Sequence, residues 1–318
     1  MKMKLLLVFF LTIALSEQAI ARDQIRIVGS STVYPFSTVV GEEFGTGNFK
    51  TPIIESNGTG GGFQLFCQGI GPQFPDIANA SRAMKDSEKQ ECSKNGINEI
   101  VEFKFGNDGI AFVNSTKGKK FSLTTEQLWK AMAAKGPSPK TWKEVSAELP
   151  DLKIEILTPP PTSGTRDSWN ALVMEKGCDP KVKAINPKDC ELMREDGVVI
   201  EAGENDSLIV KKLEANVNSF GIFGFSYLEE NLDKVQPANI GGVEISIDNI
   251  QSNKYPISRP LFFYVKKSHV GVIPGIKEYV KEFLSEESVG PEGYLIDTGL
   301  VPLDKSSLER SRANQKLL

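Results

Sequence analysis

The chain has 318 residues, of which 40% are hydrophobic and 25% charged, with a formal charge of −4. That length supports sizeable cores in about two domains, and the composition excludes disordered, collagen-like and many-span membrane classes. The acidic balance argues against nucleic acid as a partner.

In chain order, Met1-Lys2-Met3-Lys4 is a short cationic start, residues 5–15 form an apolar run, and Ala19-Ile20-Ala21 is a small-x-small cleavage site. Eleven apolar residues are too few to span a bilayer, so 1–21 reads as an export signal cleaved after Ala21. The mature chain is then expected in the periplasm, starting at Arg22. Residues 1–21 hold two Lys and one Glu, so the mature formal charge is −5. No later run approaches 18 apolar residues.

Strand and helix patterns then alternate. Residues 24–28 read as a strand, 35–44 as a helix, 51–55 as a strand, and 61–68 as a helix. A strand at 76–81 and a polar helix at 86–94 follow, with a buried-strand pattern at 110–114. The second half offers a Thr-capped helix at 124–134, a strand at 153–157, and helices at 166–176 and 205–216. Strands at 221–227 and 259–265 lead to a helix at 276–284 and a closing segment at 294–303. Alternation of this kind predicts an α/β fold with largely parallel sheets. No long linker separates the halves, which suits two lobes with the second inserted into the first. Hinge strands are expected at about 110–116 and 258–266.

Four cysteines suit an exported protein. Cys67–Cys92 and Cys178–Cys190 are the expected disulfides, because each pair is local and within one predicted domain. Zinc is the weaker alternative, since neither pair has CxxC spacing and the only histidine, His269, is distant. His269 lies in a polar segment and is expected to be solvated. Trp129, Trp142 and Trp169 are expected in the cores, and Asp76 is expected to fix a loop.

Three segments share one design: Gly29-Ser30-Ser31-Thr32, Ser56-Asn57-Gly58-Thr59-Gly60-Gly61-Gly62 and Pro161-Thr162-Ser163-Gly164-Thr165-Arg166-Asp167. Each places Gly and hydroxyl residues where a strand turns into a helix. Helix starts leave backbone N–H groups without partners and carry partial positive charge, hydroxyls add donors, and Gly admits close backbone approach. Three such turns in one chain point to a cradle for a small tetrahedral oxyanion. With a single histidine, no metal-ligand spacing and no GxxxxGK[ST] stretch, the chain reads as a non-enzyme without cofactor or metal. The rival classes are a secreted phosphoester hydrolase and a binder of sulfate or molybdate.

The ordered set of Val28-Gly29-Ser30-Ser31-Thr32-Val33-Tyr34-Pro35, Asn57-Gly58-Thr59-Gly60-Gly61-Gly62-Phe63, Asp76-Ile77-Ala78-Asn79-Ala80-Ser81-Arg82, Pro160-Pro161-Thr162-Ser163-Gly164-Thr165-Arg166-Asp167 and Gly293-Tyr294-Leu295-Ile296-Asp297 resembles the periplasmic phosphate-binding proteins of high-affinity phosphate ABC transporters. The resemblance runs over essentially the whole mature chain. It implies a type II periplasmic binding protein fold, with each lobe a mostly parallel sheet flanked by helices and two hinge strands between them. Lobe 1 would hold 22–112 and 262–318, and lobe 2 would hold 113–261. The protein would be a monomer that closes on inorganic phosphate and hands it to a membrane permease. The resemblance places Ser31, Thr32, Thr59, Gly60, Ser81 and Arg82 on the first lobe's side of the ligand. From the second lobe it brings Ser163, Gly164 and Thr165, with Arg166 and Asp167 adjoining. Two positions depart from the family pattern: Arg82 stands where members carry a proton-accepting Asp, and Pro159 stands where they carry an Arg. Asp108 and Asp167 are the candidates for the acceptor, and Arg82 and Arg166 for bidentate donors.

Overall fold

A computed structural model describes residues 22–161, 163–203 and 206–318; residues 1–21, where the export signal is expected, and Thr162, Glu204 and Asn205 lie outside the described residues. The first strands are β1 (Arg26–Gly29), β2 (Ile53–Ser56), β3 (Ile77–Ala80) and the long β4 (Ile100–Ser115). They are followed by β5 (Ser122–Leu123), β6 (Ile156–Thr158), β7 (Val199–Glu201) and β8 (Phe220–Gly224). The last are β9 (Val235–Pro237), β10 (Asn239–Ile240) and β11 (Ser258–Lys266). Nine of them form one continuous ladder in the order β2-β1-β3-β11-β4-β8-β6-β7, with β9 also on β4.

The lower half of β4 pairs with β11, and its upper half leaves that partner for β8 and β9. One lobe therefore collects parallel β1, β2 and β3, and the other collects parallel β6, β7 and β8. Each lobe has its own apolar core. Ile27, Val40, Phe105, Phe263 and Phe283 belong to one, and Phe112, Trp142, Trp169 and Phe220 to the other. In the second core Phe112 stacks on Phe220 with centroids 4.8 Å apart. All three Trp residues are buried there, as expected.

The helices that bear on function are α1 (Tyr34–Gly45), α2 (Gly58–Phe66), α3 (Asp86–Lys94), α4 (Thr125–Met132), α5 (Trp142–Val145) and α6 (Gly164–Trp169). The expected cap of α4 is present, with Thr124 Oγ1 accepting from Gln127 N–H. α6 continues without a break through a π turn at Asn170–Met174 and a last turn at Glu175–Gly177. Cys67–Cys92 and Cys178–Cys190 are both formed. Among the described residues, no helix is long and apolar enough to cross a membrane.

Three expectations need correction. Phe225–Glu229 is a helix, so the strand expected at 221–227 stops at Gly224. A further helix, Lys305–Ala313, follows the expected closing segment, capped by Asp304, which accepts from Ser307 N–H. His269 is buried rather than solvated. Its Nε2 accepts the Gly71 N–H (3.0 Å), so Nδ1 carries the proton and donates to Asp76 Oδ1 (2.6 Å). Asp76 also accepts from Arg22 and from the Arg26 N–H, at the N-terminal ends of β1 and β3. The expectation that Asp76 fixes a loop is met in this way.

Lys266 is buried beside this cluster, with Nζ donating to Gly69 O (2.7 Å) and lying 4.9 Å from the Phe66 ring centre. Burial, opposed by Asp76, brings its ammonium down to about 8. The unfolded chain keeps that proton to about 10.4. Between these values the unfolded state binds more protons, so this group makes stability rise with pH across the window. Urea unfolding from pH 7 to 10 should show that rise in the native protein and a flatter profile in Lys266→Met. Equal profiles would remove Lys266 from the account.

Candidate functional site

The parallel register sets Gly29 opposite both Ser56 and Asn79, so β1, β2 and β3 end at one edge of their sheet. There Ser30 N–H donates to Asn79 O (3.0 Å) and Asn57 N–H to Gly29 O (2.8 Å). Gly29 has φ +133°, and a Cβ on Gly62 would come within 2.2 Å of the Gly29 Cα. Only glycines at both places let α2 start this close to the strand. Thr59 Oγ1 then lies 3.0 Å from Ser81 Oγ and accepts the Ser81 N–H (3.1 Å). So Ser31, Thr32, Thr59, Gly60 and Ser81 are gathered along one edge.

The second lobe brings the end of β6 and the start of α6 against that edge. A Cβ on Gly164 would lie 3.0 Å from Thr32 Cα and 3.1 Å from Ser31 O, so the two backbones meet directly across the cleft. Beside this contact is a cavity of about 400 Å³. Thr32, Asp108, Ser163, Gly164 and Thr165 are among the residues that line it. Tyr227, Glu230 and Asp297 also line it.

A network of polar side chains closes the seam. Arg259 Nη2 donates to Thr32 Oγ1 and to Ser168 Oγ, both at 2.5 Å. Ser168 Oγ donates to Asp108 Oδ2 (2.5 Å), and Thr32 Oγ1 lies 3.2 Å from Asp167 Oδ2. The Arg259 guanidinium is 3.7 Å from Asp108 and 3.5 Å from Asp167. Asp108 and Arg259 are direct cross-strand partners on β4 and β11, the two strands that pass between the lobes. Burial raises the Asp108 carboxyl above its usual range, while Arg259 and the Ser168 hydroxyl pull it back. One guanidinium thus links both hinge strands, a first-lobe hydroxyl and a second-lobe hydroxyl. Neither Arg259 nor Ser168 was picked out from the sequence.

The two arginines that were picked out turn elsewhere. Arg82 forms a two-pronged ion pair with Glu88 (2.8 and 2.9 Å) and lies over the Phe63 ring. Glu88 at the same time accepts the Lys85 N–H at the start of α3, which explains why it holds Arg82. Arg166 is buried and donates to Thr158 Oγ1 and Pro159 O, both 3.1 Å. It lines a different cavity from the one between the lobes. Asp167, by contrast, is in the seam.

Comparison with known proteins places this architecture. A family model described as a PBP superfamily domain matches residues 16–287. The phosphate-binding protein PstS of Staphylococcus saprophyticus is 31% identical over 87% of this chain and 79% of its own length. Protein SphX of Synechococcus elongatus is 30% identical, covering 95% of this chain and 85% of that protein. Among solved structures, a possible phosphate binding protein from Planctomyces limnophilus superposes with a TM-score of 0.77 at 29% identity, covering 92% of this chain and 97% of that one.

Proposed function

The chain belongs to the PBP superfamily and to its PstS and SphX branch, and from this we propose that it captures inorganic phosphate between its lobes and delivers it to an ABC-transporter permease. The observation that carries the reading is the meeting of the Ser31–Thr32 backbone with the start of α6 at Gly164. Partial positive charge and hydroxyl donors from both lobes converge there, away from water.

In this reading 22–109 and 261–318 form lobe 1 and 110–260 form lobe 2, a few residues from the bounds expected from the sequence because Ile110, Ala111 and Phe112 pack in the second core and Leu261 in the first. Residues 1–21 direct export to the periplasm, where the mature monomer works. Ser31, Thr32, Thr59, Gly60 and Ser81 first receive the anion, and closure adds Ser163, Gly164 and Thr165. Arg259 supplies the cationic charge that Arg82 and Arg166, tied to other partners, do not. Phosphate always carries a proton at neutral pH and sulfate does not. Asp108, buried and already bonded to Ser168, accepts that proton, with Asp167 at its exposed side. Facing sulfate, its ligand-side lone pairs would have no proton to accept and would meet a second anion, at a cost of about 1–3 kcal/mol. The permease then favours the open state and releases the cargo.

The protein acts as a binder rather than a hydrolase. Its only histidine is engaged by Asp76 at the far end of β3, so no Ser-His relay reaches the cleft. Calorimetry with phosphate, arsenate, sulfate and molybdate from pH 5 to 9 tests the assignment, alongside a chromogenic phosphoester. Phosphate-selective binding without turnover is expected. Sulfate binding as tight as phosphate binding would remove the acceptor, and turnover would make the protein an enzyme. Thr59→Val, which deletes the hydroxyl that holds Ser81, is expected to weaken phosphate binding by about 1 kcal/mol, roughly fivefold.

A further inference from the structure

Behind α6, on the side away from the cleft, lies a second cavity of about 760 Å³ that shares no lining residue with the first. Arg166 borders it and is only 8% exposed. Its two hydrogen-bond acceptors, Thr158 Oγ1 and Pro159 O, are neutral, and its Nε is buried without a partner. A buried guanidinium with no ion pair among the described residues is costly, and the cost is relieved by an anion brought to it from the cavity. Burial already bears against its charge, eased only through space by Glu201.

We propose that this cavity is a second anion site, which takes a small dicarboxylate on Arg166 and Lys188. The part of the guanidinium that borders the cavity can donate charge-assisted hydrogen bonds to one carboxylate. Lys188, on the rim, is exposed, makes no ion pair among the described residues and can hold the second carboxylate. Arg194 also lines the cavity but is spent on Asp196 and on the Ala131, Pro139 and Ser138 carbonyls.

Three carboxylates share the wall. Glu195 and Glu201 are exposed, so water and salt screen them. Glu191 is half-buried, and burial with the neighbouring Glu175 and Asp167 raises it to about 7 against the pull of Lys188. Below that pH it is increasingly neutral and opposes an anion least, so occupancy is favoured by mild acidity.

The test is calorimetry with succinate on the mature protein held in saturating phosphate, at pH 6 and pH 8. Saturable one-to-one binding, stronger at pH 6, is expected. Arg166→Gln and Lys188→Ala should each weaken it about tenfold or more, while Lys188→Ala leaves phosphate affinity unchanged. Glu191→Gln should bring the affinity at pH 8 to that at pH 6. Succinate that competes with phosphate, fails to bind, or is indifferent to Lys188→Ala and Glu191→Gln would overturn the proposal. Lys188 and Glu191 are not core residues, so these two variants decide the matter even if Arg166→Gln fails to fold.

Discussion

Replacing Arg259 with Gln is expected to lower stability by about 3–5 kcal/mol, because it leaves Asp108 buried without its cationic partner. The loss should depend on pH in a defined direction. Burial already raises the Asp108 carboxyl, and Arg259 is the strongest of the influences that pull it back. Without Arg259 the folded-state value rises further above that of the unfolded chain. The folded state then binds the extra proton in the window between those two values, so the stability contributed by this group falls as pH rises through it. The variant should therefore come closest to the native protein at acid pH and fall furthest behind above neutrality. Asp108→Asn in the same chain removes the buried charge and should recover most of the deficit, although phosphate selectivity goes with it. Guanidinium unfolding of the single and double variants at pH 5 and pH 8 measures both effects. A loss of equal size at both pH values, or a double variant no better than the single one, would show that the pair is not coupled as drawn.

The turns that build the cleft were legible because Gly, Ser and Thr at a strand-to-helix corner are chosen by backbone geometry and by unpaired N–H groups, both local properties. Even there the start of α2 moves: Gly58 at φ +70° lets the helix begin at once, three residues before the apolar pattern would place it. What was not legible depended on distant partners. Gly106-Asn107-Asp108-Gly109 looks like a turn, yet β4 runs straight through it. The missing side chains of Gly106 and Gly109 make room for Leu300 and Ile250, which a Cβ would approach to 2.2 and 2.5 Å. That passage carries Asp108 to the cleft opposite Arg259.

Arg259 itself stands at the start of an apolar strand, where an arginine normally reads as a solvated end. Only the register of β11 on β4 turns it inward. Arg82 and Arg166 fail the other way: their places in the sequence adjoin the cleft, but Glu88 and the Thr158–Pro159 turn capture their side chains. Spacing sets the position of a Cα. The direction of a long side chain follows from which acceptor the rest of the fold leaves within reach.

The contact that brings the lobes together can be tested where it has no slack. Gly164, the first residue of α6, lies against the Ser31–Thr32 backbone, and an added Cβ there would meet two backbone atoms at 3.0 and 3.1 Å. Backbone cannot swing aside as a side-chain tip can. Valine adds two more methyl groups, so Gly164→Val must hold the lobes apart or push α6 off its seat. Overpacking of this kind costs about 3 kcal/mol at the upper end. Because parting the lobes would break this contact, the cost is expected to fall on closure and to read as roughly a hundredfold loss of phosphate affinity. Unfolding of the phosphate-free protein, which is free to stay open, should change little. Small-angle scattering should show phosphate compacting the native protein and failing to compact the variant. A variant that binds phosphate with native affinity would mean that the two backbones do not touch in the bound state, and that the anion is held by one lobe alone.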